Sequence, residues 1–152
     1  MGSVYAVTTE GEEALAAATA ECVVRVGGAT AVKAKIIEWG VATDGVSATA
    51  EPIRIRLIRT SSDGTSSAAT ETQVSDPDNP TANCVGTHSF TAEPTKSDVI
   101  IETELHPQGD RIQEQFPLGR EPGLDNATTS CIAIEAVAPA VVNITGYIIW
   151  EE

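Results

Sequence analysis

Aromatic residues are scarce in this chain, in which they make up 4% of 152 residues. Long apolar runs are missing as well: none approaches the length of about eighteen residues that a membrane-spanning helix needs, so we expect no membrane partner. The first residues contain neither a basic nor an apolar segment, and we therefore expect no secretory signal. The length indicates a single domain with one core, built mainly from Ala, Val and Ile.

Basic residues are also few. Nine Lys and Arg residues stand against 22 Asp and Glu residues, which gives a net charge of −13. Six of the nine bases lie between residues 25 and 59, and two interpretations of this basic island stay open: ordinary charges on strand surfaces, or a face that binds an acidic partner. Because nucleic acids require a broad cationic surface, we expect no direct binding to nucleic acid.

Three cysteines, Cys22, Cys84 and Cys131, are present, and no two are spaced as in a CxxC motif. An odd number of thiols cannot pair completely within one chain. Cys22 and Cys131 lie in apolar, strand-like runs, where a buried free thiol is the common state. Cys84 lies in the loop-like run PTANCVGT and is the candidate for an intermolecular disulfide, provided that it is exposed where subunits meet.

Patterns typical of catalysis or metal binding are missing from the sequence. His88 and His106 belong to no ligand motif, and no GxSxG elbow occurs. Glu102 and Glu104 share a predicted strand face, but exposed acids of this kind are far commoner than the carboxylate pair of a glycosidase. The run DPDN at residues 76–79 offers oxygen ligands for calcium without the spacing of an EF-hand. We therefore expect no enzyme activity, no metal and no cofactor.

Short strand-like runs separated by turn residues dominate the sequence. The strongest of them, IRIRLIRT at residues 53–60, alternates an apolar face with a face that carries Arg54, Arg56 and Ile58. Such a pattern predicts an all-β fold, an antiparallel β-sandwich or jelly-roll-like barrel with little helix. Trp39 and Trp150 are predicted to lie in or beside its core.

Four finer predictions concern the connections and the domain organisation. The Ala-rich run 10–21 predicts a helical turn or two, and residues 61–83 predict a long polar loop with turn points at 76–77 and 79–80. The runs 130–137 and 141–150 flank Pro139 and are typical of a hairpin. We assign residues 1–24 to an N-terminal arm and first strand region, and residues 25–152 to a single β domain.

The segment 106–122, HPQGDRIQEQFPLGREP, has the most defined local geometry. Pro and Gly fix two turns, at residues 106–109 and 116–119, on either side of a short strand. A rigid segment loses little entropy on binding, so we predict an interface. Its candidate contact residues are His106, Phe116 as an apolar anchor, Arg120 as a bidentate partner of a carboxylate, and Glu121. The alternative is that Arg120 and Glu121 merely satisfy a local turn.

Several runs together resemble a known family. They are AKIIEWGVATDG at 34–45, EPIRIRLIRTSSDG at 51–64, the polar loop that follows, the run from EPTKSDVII to PLGREP at 93–122, and NITGYIIWEE at 143–152. Over about residues 31–152 the chain resembles the head decoration proteins, also called auxiliary or cement proteins, of tailed bacteriophages. The PLGRE run and Glu38-Trp39-Gly40 carry most of this resemblance.

The resemblance implies a β-rich structural protein of the virion, made in the bacterial cytoplasm and bound to the outer surface of the capsid. Its partners would be the major capsid protein and further copies of the same chain, often in a trimer, and it would stabilise the shell by bridging capsomers. The resemblance brings no catalytic residues. The alternative function is a carbohydrate-binding or adhesin-like β-sandwich, which needs an exposed aromatic platform, and six aromatic residues leave few for that purpose.

Overall fold

A computed structural model of the protein describes residues 2–30, 32–46, 49–75, 78 and 81–152. These residues form thirteen strands and no helix. In chain order the strands are β1 (Val4–Thr8), β2 (Glu13–Leu15), β3 (Ala20–Gly27), β4 (Ala34–Thr43), β5 (Ile53–Thr60), β6 (Thr65–Ala68), β7 (Thr72–Gln73), β8 (Val85–Ala92), β9 (Lys96–Leu105), β10 (Arg111–Gln115), β11 (Gly123–Leu124), β12 (Cys131–Val137) and β13 (Val142–Glu151). The predicted all-β class is confirmed.

Two antiparallel sheets pack face to face as a sandwich, and the alternative of a closed barrel is wrong. The seven-stranded sheet has the order β10-β4-β13-β1-β7, with β11 also paired to β4 and β2 also paired to β13. The six-stranded sheet has the order β6-β8-β3-β12-β5-β9. Each sheet ends in edge strands, so neither closes on itself.

The core lies between the sheets and is filled mainly by β-branched residues, as the composition predicts. Trp39 on β4 and Trp150 on β13 are both fully buried, which confirms their predicted place. The predicted alternation in β5 is also confirmed: Ile53, Ile55 and Leu57 belong to this core. Ile58 points to the opposite face, where it forms a second, small cluster with Cys22, Ala133 and Phe90.

Two glycines let the sheets approach each other closely. Gly86 on β8 is buried, and a Cβ atom built there would lie 2.5 Å from Val7 Cγ2 of β1. Gly146 on β13 faces the six-stranded sheet in the same way, with Val23 Cγ1 at 3.0 Å from such an atom. Because glycine has no side chain, Val7 and Val23 fit against the backbone at these two positions. The packing of β1 and β3 therefore depends on Gly86 and Gly146.

The prediction of a helix over residues 10–21 is wrong. Glu13–Leu15 form β2, which pairs with β13, and Leu15 is 2% exposed in the core. Burial of Leu15 and the backbone pairing outweigh the helix propensity of the alanines, which is a weak preference. The first 24 residues contribute to both sheets: β1 lies between β13 and β7, and β3, which begins at Ala20, lies inside the six-stranded sheet.

The last two long strands do not form a hairpin. β12 lies between β3 and β5 of one sheet, and β13 lies between β4 and β1 of the other, so residues 138–141 cross from sheet to sheet. The predicted polar loop, residues 61–83, is only partly a loop, because it contains the edge strands β6 and β7. The turn points predicted at 76–77 and 79–80 lie outside the described residues.

Candidate functional site

The first turn of the segment 106–122 joins the two sheets. It follows β9 of the six-stranded sheet and precedes β10 of the seven-stranded one. Gly109 adopts a left-handed φ of +94°, and its N–H donates to Thr43 Oγ1 at 3.0 Å. The N–H of Asp110 donates to the same hydroxyl at 3.1 Å. Thr43 therefore anchors this turn to β4, which agrees with the rigid geometry expected from Pro107 and Gly109.

His106 is part of that anchored turn. Its side chain is exposed, and its Nδ1 accepts the N–H of Gln108 at 3.2 Å. His106 therefore stabilises the turn from within. It stands at the opposite end of β10 from the other candidate residues, and five residues of strand span about 17 Å. The structure does not bring His106 together with Phe116, Arg120 and Glu121.

The second turn presents an exposed leucine. Arg120 N–H donates to Pro117 O at 2.9 Å, and Gly119 has a φ of +85°, the left-handed conformation that a type II turn requires at this position. Gly119 N–H donates to Glu121 Oε2 at 2.7 Å. The middle of the turn is Leu118, which is 95% exposed.

The candidate residues near this turn have different roles. Phe116 is half-buried and packs on the protein's own core, so it anchors the turn and leaves Leu118 as the apolar group that faces outward. Glu121 accepts a hydrogen bond within the turn, which agrees with the alternative that this residue satisfies a local turn. Arg120 is exposed, and its guanidinium has no hydrogen-bond or ion-pair partner among the residues that the structure describes. Leu118 could have been found from sequence, because a residue between Pro and Gly in such a turn must point away from the fold.

The three thiols are free and buried, as expected for Cys22 and Cys131. Cys84 differs from the expectation: it is 1% exposed, in the core, and no longer a candidate for an intermolecular disulfide. The carboxylate of Glu152 accepts the N–H groups of Asn83 and Cys84 and holds this stretch closed. Burial, together with Glu152, raises the pKa of the Cys84 thiol to about 12, so the thiol is neutral at physiological pH.

Two of the six bases of the basic island, Arg25 and Arg56, form ion pairs within the fold. Arg25 is buried and forms an ion pair with Asp63. Arg56 forms ion pairs with Glu102 and with the buried Glu135, whose Oε1 lies 2.9 Å from Arg56 Nη1. The same oxygen lies 3.1 Å from Lys96 Nζ. The other four bases, Lys33, Lys35, Arg54 and Arg59, form no ion pair with the described residues, so both interpretations of the island stay open.

A cluster that the sequence did not indicate surrounds His88. Its Nδ1 lies 2.8 Å from Ser89 Oγ and 3.2 Å from Glu13 Oε1, and its Nε2 lies 3.7 Å from Glu10 Oε2. Ser89 Oγ donates to Glu13. Ser89 and Glu13 both lie against Nδ1 of His88, and the hydroxyl proton of Ser89 is directed to the Glu13 carboxylate. Ser89 therefore does not have the geometry of a hydrolase nucleophile, whose hydroxyl donates to the histidine that acts as its base. The cluster ties β8 to the 10–13 segment that leads into the other sheet.

A groove on the outer face of the seven-stranded sheet is a second candidate for binding. Its volume is about 430 Å³, and Tyr147 of β13 lines it. Tyr147 lies across Gly40 of β4: a Cβ atom on Gly40 would meet Cε1 of the ring at 2.5 Å. No sequence pattern predicts this pair, because the register of two strands that are far apart in the chain brings the two residues together.

Within the described residues no group of three or more His, Cys, Asp or Glu side chains is arranged to hold a metal ion. The calcium candidates at residues 76–79 fall outside those residues, except for Asp78. In the same part of the chain there is no helix long and apolar enough to cross a membrane.

Comparisons with protein-family models, with curated proteins and with solved structures find no match for this chain.

Proposed function

We propose that this chain is a structural protein that binds the outer surface of a phage capsid as a homotrimer and stabilises the shell by bridging capsomers. The proposal starts from the resemblance of the PLGRE and Glu38-Trp39-Gly40 runs to head decoration proteins. The fold supports it, because a small antiparallel sandwich with rigid turns is a suitable scaffold for a contact that is repeated many times. The partners would be the major capsid protein and two further copies of the chain.

The observation that carries the proposal is the exposure of Leu118. Isolated exposed apolar residues are ordinary, but Leu118 is 95% exposed at the centre of a turn that Gly119 and a backbone hydrogen bond hold in place. Transfer of a leucine side chain from water into a pocket of a partner is worth about 2 kcal/mol. Because the turn is already ordered, little of that free energy is lost to conformational entropy.

Arg120, two residues further along, adds a polar contact to the same surface. Its guanidinium is exposed and unpaired within the described structure, so it can form a bidentate bond with a carboxylate on the capsid. The net charge of −13 limits non-specific association between proteins away from that surface. In a trimer, three Leu118–Arg120 surfaces would act together, and avidity would compensate for the small area of each.

The test is co-sedimentation of purified protein with capsids assembled without it. We expect Leu118→Ser to weaken binding by about thirtyfold per site, the loss of about 2 kcal/mol. The matched control is Val141→Ser, which removes another exposed apolar side chain, 68% exposed, on the connection between β12 and β13. This control should bind as the wild type does.

Both variants are expected to keep the wild-type melting temperature, because neither side chain packs in the core. Arg120→Ala should also reduce occupancy, and most strongly at low ionic strength, where charge pairs are least screened. Equal occupancy for wild type and Leu118→Ser would overturn the assignment of the contact to this turn.

A further inference from the structure

The groove on the outer face of the seven-stranded sheet has a floor of small residues and two higher walls. Ala42 of β4 and Thr145 of β13 form its floor together with the ring of Tyr147, which lies across Gly40 of β4. One wall is the end of β1 and the bend that follows it, residues 8–11. The other wall is the outward-facing side of the edge strand β10. A volume of about 430 Å³ lies within the range of roughly 300–1,000 Å³ that is typical of small-molecule sites.

The tyrosine is fixed in position by its neighbours. Its hydroxyl donates to Glu38 Oε1 at 2.6 Å, and Gln113 Nε2 donates to the same oxygen at 2.9 Å. Burial and the carboxylate of Glu38 raise the pKa of Tyr147, so the phenol keeps its proton. One carboxylate thus positions an aromatic ring and a carboxamide at the same site before any ligand arrives.

The facing wall is equally well ordered. Thr9 N–H donates to Gly146 O at 3.0 Å, and Thr9 Oγ1 donates to Gly11 O at 2.6 Å. Glu10 has a left-handed φ of 54°, and its carboxylate accepts the N–H of Thr70 at 2.6 Å. The bend is therefore tied both to β13 and to the segment before β7, so the width of the groove is preset.

Two hydrogen-bonding groups at the β10 wall are free to meet a ligand. Arg111 is exposed, and its guanidinium forms no hydrogen bond or ion pair with the described residues, so it offers several donors. Gln113 uses its nitrogen for Glu38, which leaves its carbonyl oxygen as an acceptor. A donor and an acceptor side by side, above a half-buried aromatic ring, match a ligand with vicinal hydroxyl groups and an apolar face.

We propose that this groove binds a pyranose unit of a neutral oligosaccharide. The apolar face of the sugar would stack on the ring of Tyr147, and its hydroxyls would bond to Arg111 and Gln113. A neutral sugar is favoured over an acidic one because the chain carries a net charge of −13, which repels anions. The site is independent of the Leu118 turn, so either proposal can fail while the other stands.

The test is a glycan array that contains neutral and acidic oligosaccharides, followed by calorimetric titration of the wild-type protein with the strongest neutral ligand. We expect Tyr147→Ala to weaken binding by about tenfold or more, as for other ring-stacking contacts, and Gln113→Ala to weaken it severalfold. The matched control is Ile149→Ala, because Ile149 lies on the same outward face of β13 and is not part of the groove. It should bind as the wild type does.

Gln113 lies exposed on an edge strand, so its substitution tests the site even if removal of Tyr147 disturbs the sheet. In a ¹⁵N-resolved titration the amide signals of Gly40, Ala42 and Thr145 should shift on addition of the sugar. The proposal is overturned if no neutral oligosaccharide binds, if only acidic glycans bind, or if Gln113→Ala and Tyr147→Ala both leave the affinity unchanged.

Discussion

Glu135 offers the sharpest test of how the six-stranded sheet is stabilised. Its side chain is 8% exposed on β12, where it accepts Arg56 Nη1 at 2.9 Å and Lys96 Nζ at 3.1 Å. Removal of one partner from a buried ion pair costs about 3–5 kcal/mol, because the other charge stays buried without compensation. Here the cost falls toward the lower end of that range. Arg56 keeps its second partner, Glu102, and the side chain of Lys96 is 35% exposed, so water can solvate its charge.

We therefore expect Glu135→Ala to reduce the free energy of unfolding by about 3 kcal/mol. With a urea dependence of about 2 kcal/mol per molar, the midpoint of unfolding would fall by about 1.5 M. The matched control is Glu102→Ala, which removes the other carboxylate on Arg56. Glu102 is 49% exposed, so its loss should change the midpoint far less. Equal effects of the two substitutions would refute the reasoning, since burial would then not decide the strength of the contact.

Two further predictions concern thiols and close packing. Cys84, with its pKa raised to about 12, should resist a disulfide reagent at pH 8 in the folded protein and react once urea unfolds it; rapid reaction of the native protein would show that it is accessible. Gly86→Ala should lower the free energy of unfolding by about 1–3 kcal/mol, because its Cβ would lie 2.5 Å from Val7 Cγ2. Gly123→Ala, where the nearest atom is at 3.9 Å, should leave the urea midpoint nearly unchanged, and equal midpoints for both variants would contradict this packing.

The parts of the fold that follow from local pattern could be predicted from the sequence. Alternation in residues 53–60 identifies β5 and its buried face, and the Pro and Gly positions identify the turns around residues 107 and 118. These features depend on the side-chain period of a strand and on the backbone preferences of single residues, which act over a few positions.

The parts that depend on distant pairing could not be predicted. β2 is a strand because it pairs with β13, although the Ala-rich run around it, residues 10–21, favours a helix. β12 and β13 belong to different sheets, and the four residues between them, 138–141, fit a hairpin as well as a crossing between sheets. Cys84 has a polar, loop-like neighbourhood in sequence, yet the carboxylate of Glu152 closes over its backbone.

The candidate site shows the same division. The exposed turn at Leu118 is a local structure that the Pro and Gly positions predict, although the sequence points to Phe116, and not to Leu118, as its apolar contact residue. The groove depends on Gly40 and Tyr147, which are far apart in sequence and meet only because β4 and β13 pair in one register. Sequence periodicity assigns faces to strands but does not say which strands are neighbours.

The measurement that bears most directly on the proposed function is the number of protein copies that bind one capsid assembled without it. Purified protein would be titrated onto such capsids, and the bound copies counted by quantitative gel analysis of the pellet. We expect saturable binding with a copy number per capsid that is a multiple of three, and a solution mass of about three times 15.8 kDa where the trimer forms before binding. Protein that stays in the supernatant at every concentration would contradict it.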